Sequence, residues 1–188
     1  LRFEVGKVSS SDNWNETDRR VMRRALELAA LGLYTTHPNP RVGCVLMRGD
    51  QIVGEGWHRR AGEPHAEVHA LAQAGALARG ATAYVTLEPC AHHGRTPPCA
   101  DALIAAGVSR VVAAMADPFP AVDGAGLARM RAAGIAVECG LFEGEARELN
   151  IGFVSRLTRH RPWVRVKLGI SLDGRTALAD GRSQWITS

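Results

Sequence analysis

Two stretches of the sequence decide the fold and the chemistry that we expect: GEPHAEVHAL, from Gly62 to Leu71, and TLEPCAHHGRTPPC, from Thr86 to Cys99. They contain His65, Cys90 and Cys99, an imidazole and two thiols of the kind that bind zinc. Structural zinc sites are closed by four protein ligands, whereas catalytic sites keep one position for water. Three ligands therefore predict a zinc site with an open fourth position.

Glu67 adds the acid that a hydrolytic site needs. It follows His65 by two residues and is not required as a ligand, so we expect it to move the protons of a water molecule at the metal. The order H-x-E and then P-C, with a later cysteine, is typical of nucleobase deaminases. In that pattern two residues separate the cysteines, whereas eight residues separate Cys90 from Cys99.

Both ligand stretches coincide with predicted helix starts. Pro64 precedes a helix that we expect over residues 65–78, and a second helix is expected over 98–106. Helix N-termini carry unsatisfied amide donors and a partial positive charge, which favour a thiolate over a thiol. Because His65 and Glu67 do not share a helix face, we expect the metal beyond the helix end, within reach of both.

The alternative is a closed, purely structural zinc site, in which His69, His92 or His93 supplies the fourth ligand. His65 and His69 share a helix face at positions i and i+4. The combination of H-x-E, P-C and a later cysteine favours deamination instead. Glu88 is interpreted as an ordinary loop acid without a chemical role.

Helix-like and strand-like patterns alternate along the chain. A hairpin followed by repeated strand–helix units predicts a mixed sheet between two helical layers, an α/β/α sandwich. The predicted elements are a helix capped by Asn15 or Thr17 and ending near Leu31, strands 41–47 and 51–57, helix 65–78, strand 81–87, helix 98–106, strand 110–115, helix 127–133, strand 135–139, helix 143–157 and, after a basic link over 158–162, strand 163–170.

The composition is that of an ordinary globular protein, with 46% hydrophobic and 22% charged residues among 188. A net charge of +4, carried mostly by scattered arginines, suits an anionic small substrate as well as a nucleic acid. We find no apolar run of membrane-spanning length and no signal-peptide core, and therefore expect a cytoplasmic protein with reduced cysteines. Cys44 and Cys139 are interpreted as buried strand residues.

Several separated blocks resemble the bacterial bifunctional riboflavin-biosynthesis deaminase/reductase family, from about Asn15 to Ser188: HPNPRVGCV, AGEPHAEVHAL, AYVTLEPCAHHGRTPPC, KLGISLDGRTA and SQWITS. The long loop between the cysteines is part of that family's own pattern. The resemblance implies a cytidine-deaminase-like fold over 15–158. Because the sequence begins with Leu1 rather than Met, residues 1–14 are interpreted as an N-terminal extension or an expression remnant. The resemblance also implies, over 159–188, a linker and the start of a dihydrofolate-reductase-like α/β domain.

The activity implied by the resemblance is zinc-dependent hydrolytic deamination of diaminohydroxyphosphoribosylaminopyrimidine, with Glu67 as the proton carrier. Asn39, stiffened between two prolines, would contact the pyrimidine edge, although by itself it would be an ordinary turn asparagine. His92 and Arg95 would meet the ribose phosphate. Solvated loop side chains are the alternative for these two residues.

The resemblance also implies roles in NADPH-dependent reduction. In the family, the backbone near Gly169 and the ring of Trp185 contact the NADPH cofactor, and Ser183 lies by the substrate. Lys167 is a candidate for binding a substrate phosphate. Because the family's reductase domain runs well beyond Ser188, we do not expect this chain to carry out the reduction.

The expected partners are a small pyrimidine ribose phosphate and further copies of the chain, with neither nucleic acid nor membrane. Two rival functions remain open. One is deamination of tRNA adenosine or a free nucleobase, which would share the zinc site. The other is a non-catalytic module that zinc stabilises.

Overall fold

A mixed sheet of five strands forms the centre of the computed structural model, which describes residues 14–92, 97–119 and 124–184. The strand order is β2-β1-β3-β4-β5. The first three strands pair antiparallel, and the last three pair parallel. Their bounds are β1 Gly43–Arg48, β2 Gln51–Trp57, β3 Thr82–Val85, β4 Arg110–Ala113 and β5 Ala136–Cys139. The predicted mixed sheet and its initial hairpin are confirmed.

Helices cover both faces of this sheet. Their bounds are α1 Glu16–Ala30, α2 Ala66–Ala74, α3 Cys99–Ala106, α4 Ala125–Ala132, α5 Glu143–Leu149 and α6 Ile151–Arg159, with a short 3-10 turn over Gly75–Ala78. Alternate strand residues point to opposite faces. Cys44 and Leu46 therefore pack with α2, α3 and α4, whereas Val45 and Met47 pack with α1, α5 and α6. The three-layer α/β/α prediction is confirmed.

The packing of α2 on the hairpin brings helix and strand backbones unusually close. Gly54 and Gly56 of β2 face the helix, where an added Cβ would lie 2.2 Å from the carbonyl oxygen of Ala70 and 2.3 Å from that of Ala66. Small side chains on both elements allow this approach. It fixes the N-terminus of α2, and with it His65, against the sheet.

One predicted helix is two helices in the structure. The pattern over 143–157 predicts a continuous helix, but α5 ends and α6 begins on either side of Asn150. The Asn150 side chain accepts a hydrogen bond from the Arg41 amide at 2.8 Å and donates to the Arg41 carbonyl at 2.9 Å. A long-range contact therefore breaks a segment whose local pattern is helical throughout.

The predicted strand 163–170 is also wrong. Residues 161–184 contain neither helix nor strand, and their side chains are exposed. A strand needs a neighbour to satisfy its backbone groups, and in the described part of the chain no strand pairs with this segment.

The two structural cysteines differ in their environments. Cys44 is buried in β1, as predicted, whereas the prediction that Cys139 is buried is wrong, because Cys139 is exposed. The difference arises because Cys139 ends β5, the edge strand of the sheet. Over the described ranges we find no helix with the length and apolarity needed to cross a membrane.

Candidate active site

His65, Cys90 and Cys99 come together from three separate elements. His65 is the N-cap of α2, Cys90 follows β3, and Cys99 is the first residue of α3. Their potential ligand atoms all lie within 4.8 Å of one another. His65 Nδ1 is 3.3 Å from Cys99 Sγ and 3.7 Å from Cys90 Sγ. The structure thus brings the three side chains together, with His65 and Cys99 at the helix starts.

Electrostatics in this cluster already favour a thiolate. The hydrogen bond with Cys99 lowers the pKa of the Cys90 thiol, and the hydrogen bond with His65 acts in the same direction. The Cys99 backbone amide also donates to Cys90 Sγ at 3.3 Å. The pKa of the Cys99 thiol is raised, first by its contact with Cys90 and then by burial. The two sulfur atoms thus share one proton next to the His65 imidazole. A zinc ion can replace that proton and bind to both sulfurs and to the imidazole.

Glu67 lies next to this cluster, in the first turn of α2. Its side chain is buried, and Oε2 has no hydrogen-bond partner among the described groups. Burial raises the pKa of the Glu67 carboxyl. A buried oxygen without a partner is costly unless a ligand, ion or water completes it. The unsatisfied oxygen and the His–Cys–Cys donor set therefore both fit a zinc ion with water beside it.

The candidates for a fourth protein ligand do not join the cluster in the described residues. The group that could hold a metal contains His65, Cys90 and Cys99, without His69 or His92. His93 lies outside the described residues. Over the described ranges, the geometry therefore favours the open, catalytic type of site over the closed, structural type.

A cavity of about 610 Å³ adjoins the cluster. This volume is in the range of small-molecule sites. Its wall includes His65, Glu67 and Cys90 at the metal cluster, and Asn39 and His92, which were predicted to contact the substrate. The sequence analysis did not select the other residues of the wall as site residues. Among them are His58, Glu63, Glu88, Asp117, Phe119, Phe153, Arg156 and Leu157.

Asn39 lies at the cavity with its amide held by His58. Asn39 Nδ2 is 3.3 Å from His58 Nε2, and His58 Nδ1 is 3.2 Å from the Pro64 carbonyl oxygen. A carbonyl oxygen can only accept a hydrogen bond, so His58 Nδ1 carries the ring proton. Burial lowers the pKa of His58 and so favours the neutral ring, in which Nε2 accepts a hydrogen bond from the Asn39 amide. The Oδ1 atom of Asn39 is then left for a ligand. The sequence offered no local signal for His58, because the contact spans 19 residues.

Glu88 is not the ordinary loop acid that we predicted. It is buried, and its two oxygens accept hydrogen bonds from four backbone amides, those of Asp117, Gly124, Gly126 and Leu127. It thereby fixes Asp117 in the cavity wall and the N-terminus of α4. Burial raises the pKa of the Asp117 carboxyl to about 6.

The remaining predicted site residues are less closely placed. His92 lines the cavity and makes an edge contact with the ring of Phe119, whereas Arg95 and Trp185 lie outside the described residues. Lys167, Gly169 and Ser183 belong to the exposed segment 161–184, and none of them lines the cavity. Their roles in a reductase site stay a prediction.

Comparisons with known proteins agree with this geometry. Residues 15–115 match the family described as the cytidine and deoxycytidylate deaminase zinc-binding region. The riboflavin biosynthesis protein RibD of Escherichia coli is 65% identical over 171 residues, which are 91% of this chain and 47% of that protein. The diaminohydroxyphosphoribosylamino-pyrimidine deaminase of Buchnera aphidicola subsp. Schizaphis graminum is 50% identical over 145 residues, 77% of this chain and 99% of that protein.

A solved structure shows the same fold. It is the diaminohydroxyphosphoribosylaminopyrimidine deaminase/5-amino-6-(5-phosphoribosylamino)uracil reductase of Thermotoga maritima, with a TM-score of 0.87 and 43% identity. The match covers 92% of this chain and 50% of that one. The chain thus spans about half the length of the RibD relatives and nearly all of the Buchnera deaminase. It belongs to the cytidine and deoxycytidylate deaminase family, within the group formed by the riboflavin-biosynthesis deaminases.

Proposed function

We propose that this chain catalyses the zinc-dependent hydrolytic deamination of diaminohydroxyphosphoribosylaminopyrimidine, a step of riboflavin biosynthesis. The observation that carries the proposal is the buried carboxylate of Glu67, unsatisfied at Oε2, beside the His–Cys–Cys cluster and in the wall of a cavity of about 610 Å³. The Buchnera relative, which this chain matches over almost its whole length, is named as a deaminase of that compound.

His65, Cys90 and Cys99 would hold the zinc ion. When bound there, zinc supplies a Lewis acid that lowers the pKa of water at its open position. Glu67 takes one proton from the attacking water and gives it to the ring nitrogen, and then takes the second proton from the new hydroxyl group and gives it to the departing amine. The C–N bond breaks as the new carbonyl forms, so that water and aminopyrimidine give a pyrimidinone and ammonia. The raised pKa of Glu67 suits a group that must both take and give a proton near neutral pH.

The rest of the cavity would orient the substrate. Asn39 would accept a hydrogen bond at Oδ1 from an N–H on the pyrimidine edge. Its Nδ2 is engaged by His58, which fixes the orientation of the side-chain amide and leaves the oxygen for the substrate. His92 and Arg95 belong to the loop between the two cysteines and would lie towards the ribose phosphate. A site that hydrogen-bonds a ring edge discriminates strongly against rings that lack the matching groups.

Outside the deaminase site, the proposal follows the longer relatives. Residues 15–158 would form the deaminase domain after an extension over 1–14, and 159–188 would be the linker and start of a reductase domain. In a protein of the length of RibD, Gly169 and Trp185 would contact NADPH, and Lys167 and Ser183 would contact the substrate of the reduction. Self-association and a cytoplasmic location complete the proposal.

The test is ammonia release from the phosphoribosylaminopyrimidine by the Glu67→Gln variant. We expect kcat to fall about 100-fold or more, because proton transfer by a positioned acid contributes about that much. Zinc content, measured by atomic absorption, should stay at the level of the unaltered protein. Glu145→Gln, at an exposed position in the first turn of α5, is the matched control and should retain full activity. Near-normal turnover by Glu67→Gln would refute the proton-transfer role.

Two further measurements separate the rival functions. Unlabelled tRNA should not inhibit ammonia release if the substrate is the small pyrimidine, whereas inhibition would favour the tRNA deaminase. Removal of zinc by a chelator should abolish ammonia release, and added zinc should restore it. A chain that needs zinc to fold but hydrolyses no aminopyrimidine would instead be the non-catalytic module.

A further inference from the structure

Arg156 is the one arginine or lysine among the described side chains that line the cavity. It lies on α6, and Phe153 and Leu157 of the same helix also line the cavity. These residues are spaced by three and four positions, so they share one face of the helix. Arg156 therefore projects from a helix face that forms part of the cavity wall.

Helix α6 is fixed beside the part of the cavity that contains Asn39. Asn150, at its N-terminus, hydrogen-bonds both backbone groups of Arg41, two residues after Asn39. Phe153 and Val154 of the helix pack against the core cluster on that face of the sheet. The helix that carries Arg156 is thus held to the packed unit by Asn150 and by its apolar side chains, and the Arg156 side chain is exposed at the cavity.

The charges around the cavity leave Arg156 without a counterion. In the part of the chain that the structure describes, no carboxylate oxygen lies within 4.0 Å of a guanidinium nitrogen of Arg156. The guanidinium carbon lies 5.9 Å from the centre of the Phe153 ring. The wall also contains Glu63, Glu67 and Asp117. A dianionic ligand would be repelled by these acids unless a cation met its charge.

We propose that Arg156 binds the phosphate group of the substrate's ribose phosphate and so determines specificity for the phosphorylated compound. This assignment rests on the proposed deaminase function. A guanidinium offers a planar fork of donors that matches two phosphate oxygens, and such charge-assisted bonds are the strong ones. The metal cluster would then receive the ring while α6 receives the phosphate.

The experiment compares the substrate with the same compound lacking its phosphate. With Arg156→Ala we expect KM for the phosphorylated substrate to rise about 10- to 100-fold, the effect of losing a hydrogen bond to a charged group. The kcat at saturation and the KM for the dephosphorylated compound should change less than about twofold, because neither depends on that bond. Arg156→Lys should fall between, since it keeps the charge and loses the fork.

Arg159→Ala is the matched control, because Arg159 ends the same helix and does not line the cavity. It should behave as the unaltered protein with both compounds. Failure of Arg156→Ala to raise KM for the phosphorylated compound would overturn the assignment. An equal rise for both compounds would also overturn it, because it would indicate a general change in the cavity.

Equilibrium binding separates this inference from the proposed function. Calorimetric titration of the phosphorylated compound into Glu67→Gln protein, with and without Arg156→Ala, measures the contact without turnover. The second substitution should weaken binding about 10- to 100-fold. If the unaltered protein releases no ammonia but this loss is observed, the proposed reaction fails and the phosphate site stands. Equal binding with and without Arg156 would eliminate the site whatever the reaction.

Discussion

Asp18 shows how one buried residue joins separate parts of the fold. It belongs to the capping box of α1 with Asn15, and its carboxylate accepts from the Tyr84 hydroxyl at 2.7 Å and from Arg110 Nη1 at 2.6 Å. Burial by itself would raise the pKa of Asp18, but the hydrogen bonds from Arg110 and Tyr84 outweigh it and hold the pKa below its usual value. Arg110 continues to Glu138 of β5 at 2.7 Å. One network thereby links α1 to β3, β4 and β5.

Asp18→Asn should lower the free energy of unfolding at pH 7 by about 3 kcal/mol. The substitution removes the buried negative charge that pairs with the Arg110 guanidinium. The pKa of Asp18 is lower in the folded than in the unfolded protein. Its contribution is therefore complete above the unfolded-state pKa of about 4 and is lost as pH falls through the folded-state value. Urea unfolding at pH 7, 5 and 3 should show the difference between variant and unaltered protein shrinking only at the lowest pH.

Asp180→Asn provides the comparison for this series. Asp180 pairs with Arg182 on the exposed segment 161–184, where ion pairs contribute little. Its substitution should leave the unfolding free energy unchanged at every pH. A destabilisation by Asp18→Asn that is the same at pH 7 and pH 3 would show that the ionised carboxylate is not the stabilising group.

At the scale of elements, Glu88 connects the end of β3 to the start of α4. Its carboxylate accepts from Gly126 and Leu127 in the first turn of α4, and a helix N-terminus favours such a negative charge. Gly126 permits the contact, because a Cβ there would lie 1.9 Å from the Pro89 carbonyl oxygen. Cys90 is the next residue after Pro89. The contacts of Glu88 with α4 and with Asp117 therefore help to position a metal ligand as well as the cavity wall.

Glu88→Gln should lower the free energy of unfolding by about 2 kcal/mol, because the amide nitrogen is a donor that faces backbone donors in a buried place. Thermal and urea unfolding measure the loss. Glu143→Gln makes the same chemical change in the first turn of α5, where the side chain is exposed and pairs with Arg147. It should cost less than about 1 kcal/mol. Equal losses at the two positions would show that burial of Glu88 adds nothing.

The whole molecule divides into a packed α/β/α unit that ends with α6 and an exposed segment over 161–184. The segment carries Trp163, Val164, Val166, Leu168 and Ile170 with much of their surface exposed. Apolar side chains in such a row usually belong to an interface or a core. The chain covers about half the length of the RibD relatives.

Limited proteolysis of the 188-residue chain tests this division. Trypsin should cleave first after basic residues of the exposed segment, such as Arg165 and Lys167, because cleavage inside the packed unit requires local unfolding. Mass spectrometry should show a resistant core that ends at Arg159 or Arg165 and retains zinc, because trypsin does not cleave the bond between Arg161 and Pro162. Initial cleavage within the sheet or α2, with 161–184 intact, would contradict the division.

Local sequence patterns were sufficient to predict most of the elements and the chemistry of the metal cluster. Helix-like and strand-like periodicity placed the strands of the sheet and most of the helices, and Asn15 and Pro64 marked helix starts, because these signals act within a few residues. H-x-E and P-C identified His65, Glu67 and Cys90, since the ligand types themselves carry the chemistry.

Which distant residues meet depends on the packing of the elements, and the local patterns do not contain that information. The pairing of Asn150 with Arg41 spans 109 residues, and it both divides the predicted last helix and brings Arg156 to the cavity. Glu88 and His58 likewise gain their roles from partners remote in sequence or from burial. The strand predicted over 163–170 fails for the same reason: pairing depends on a neighbour, which no local pattern contains. The periodicity of apolar residues predicts whether a segment can form a helix or a strand. Its contacts with distant residues depend on how the elements pack.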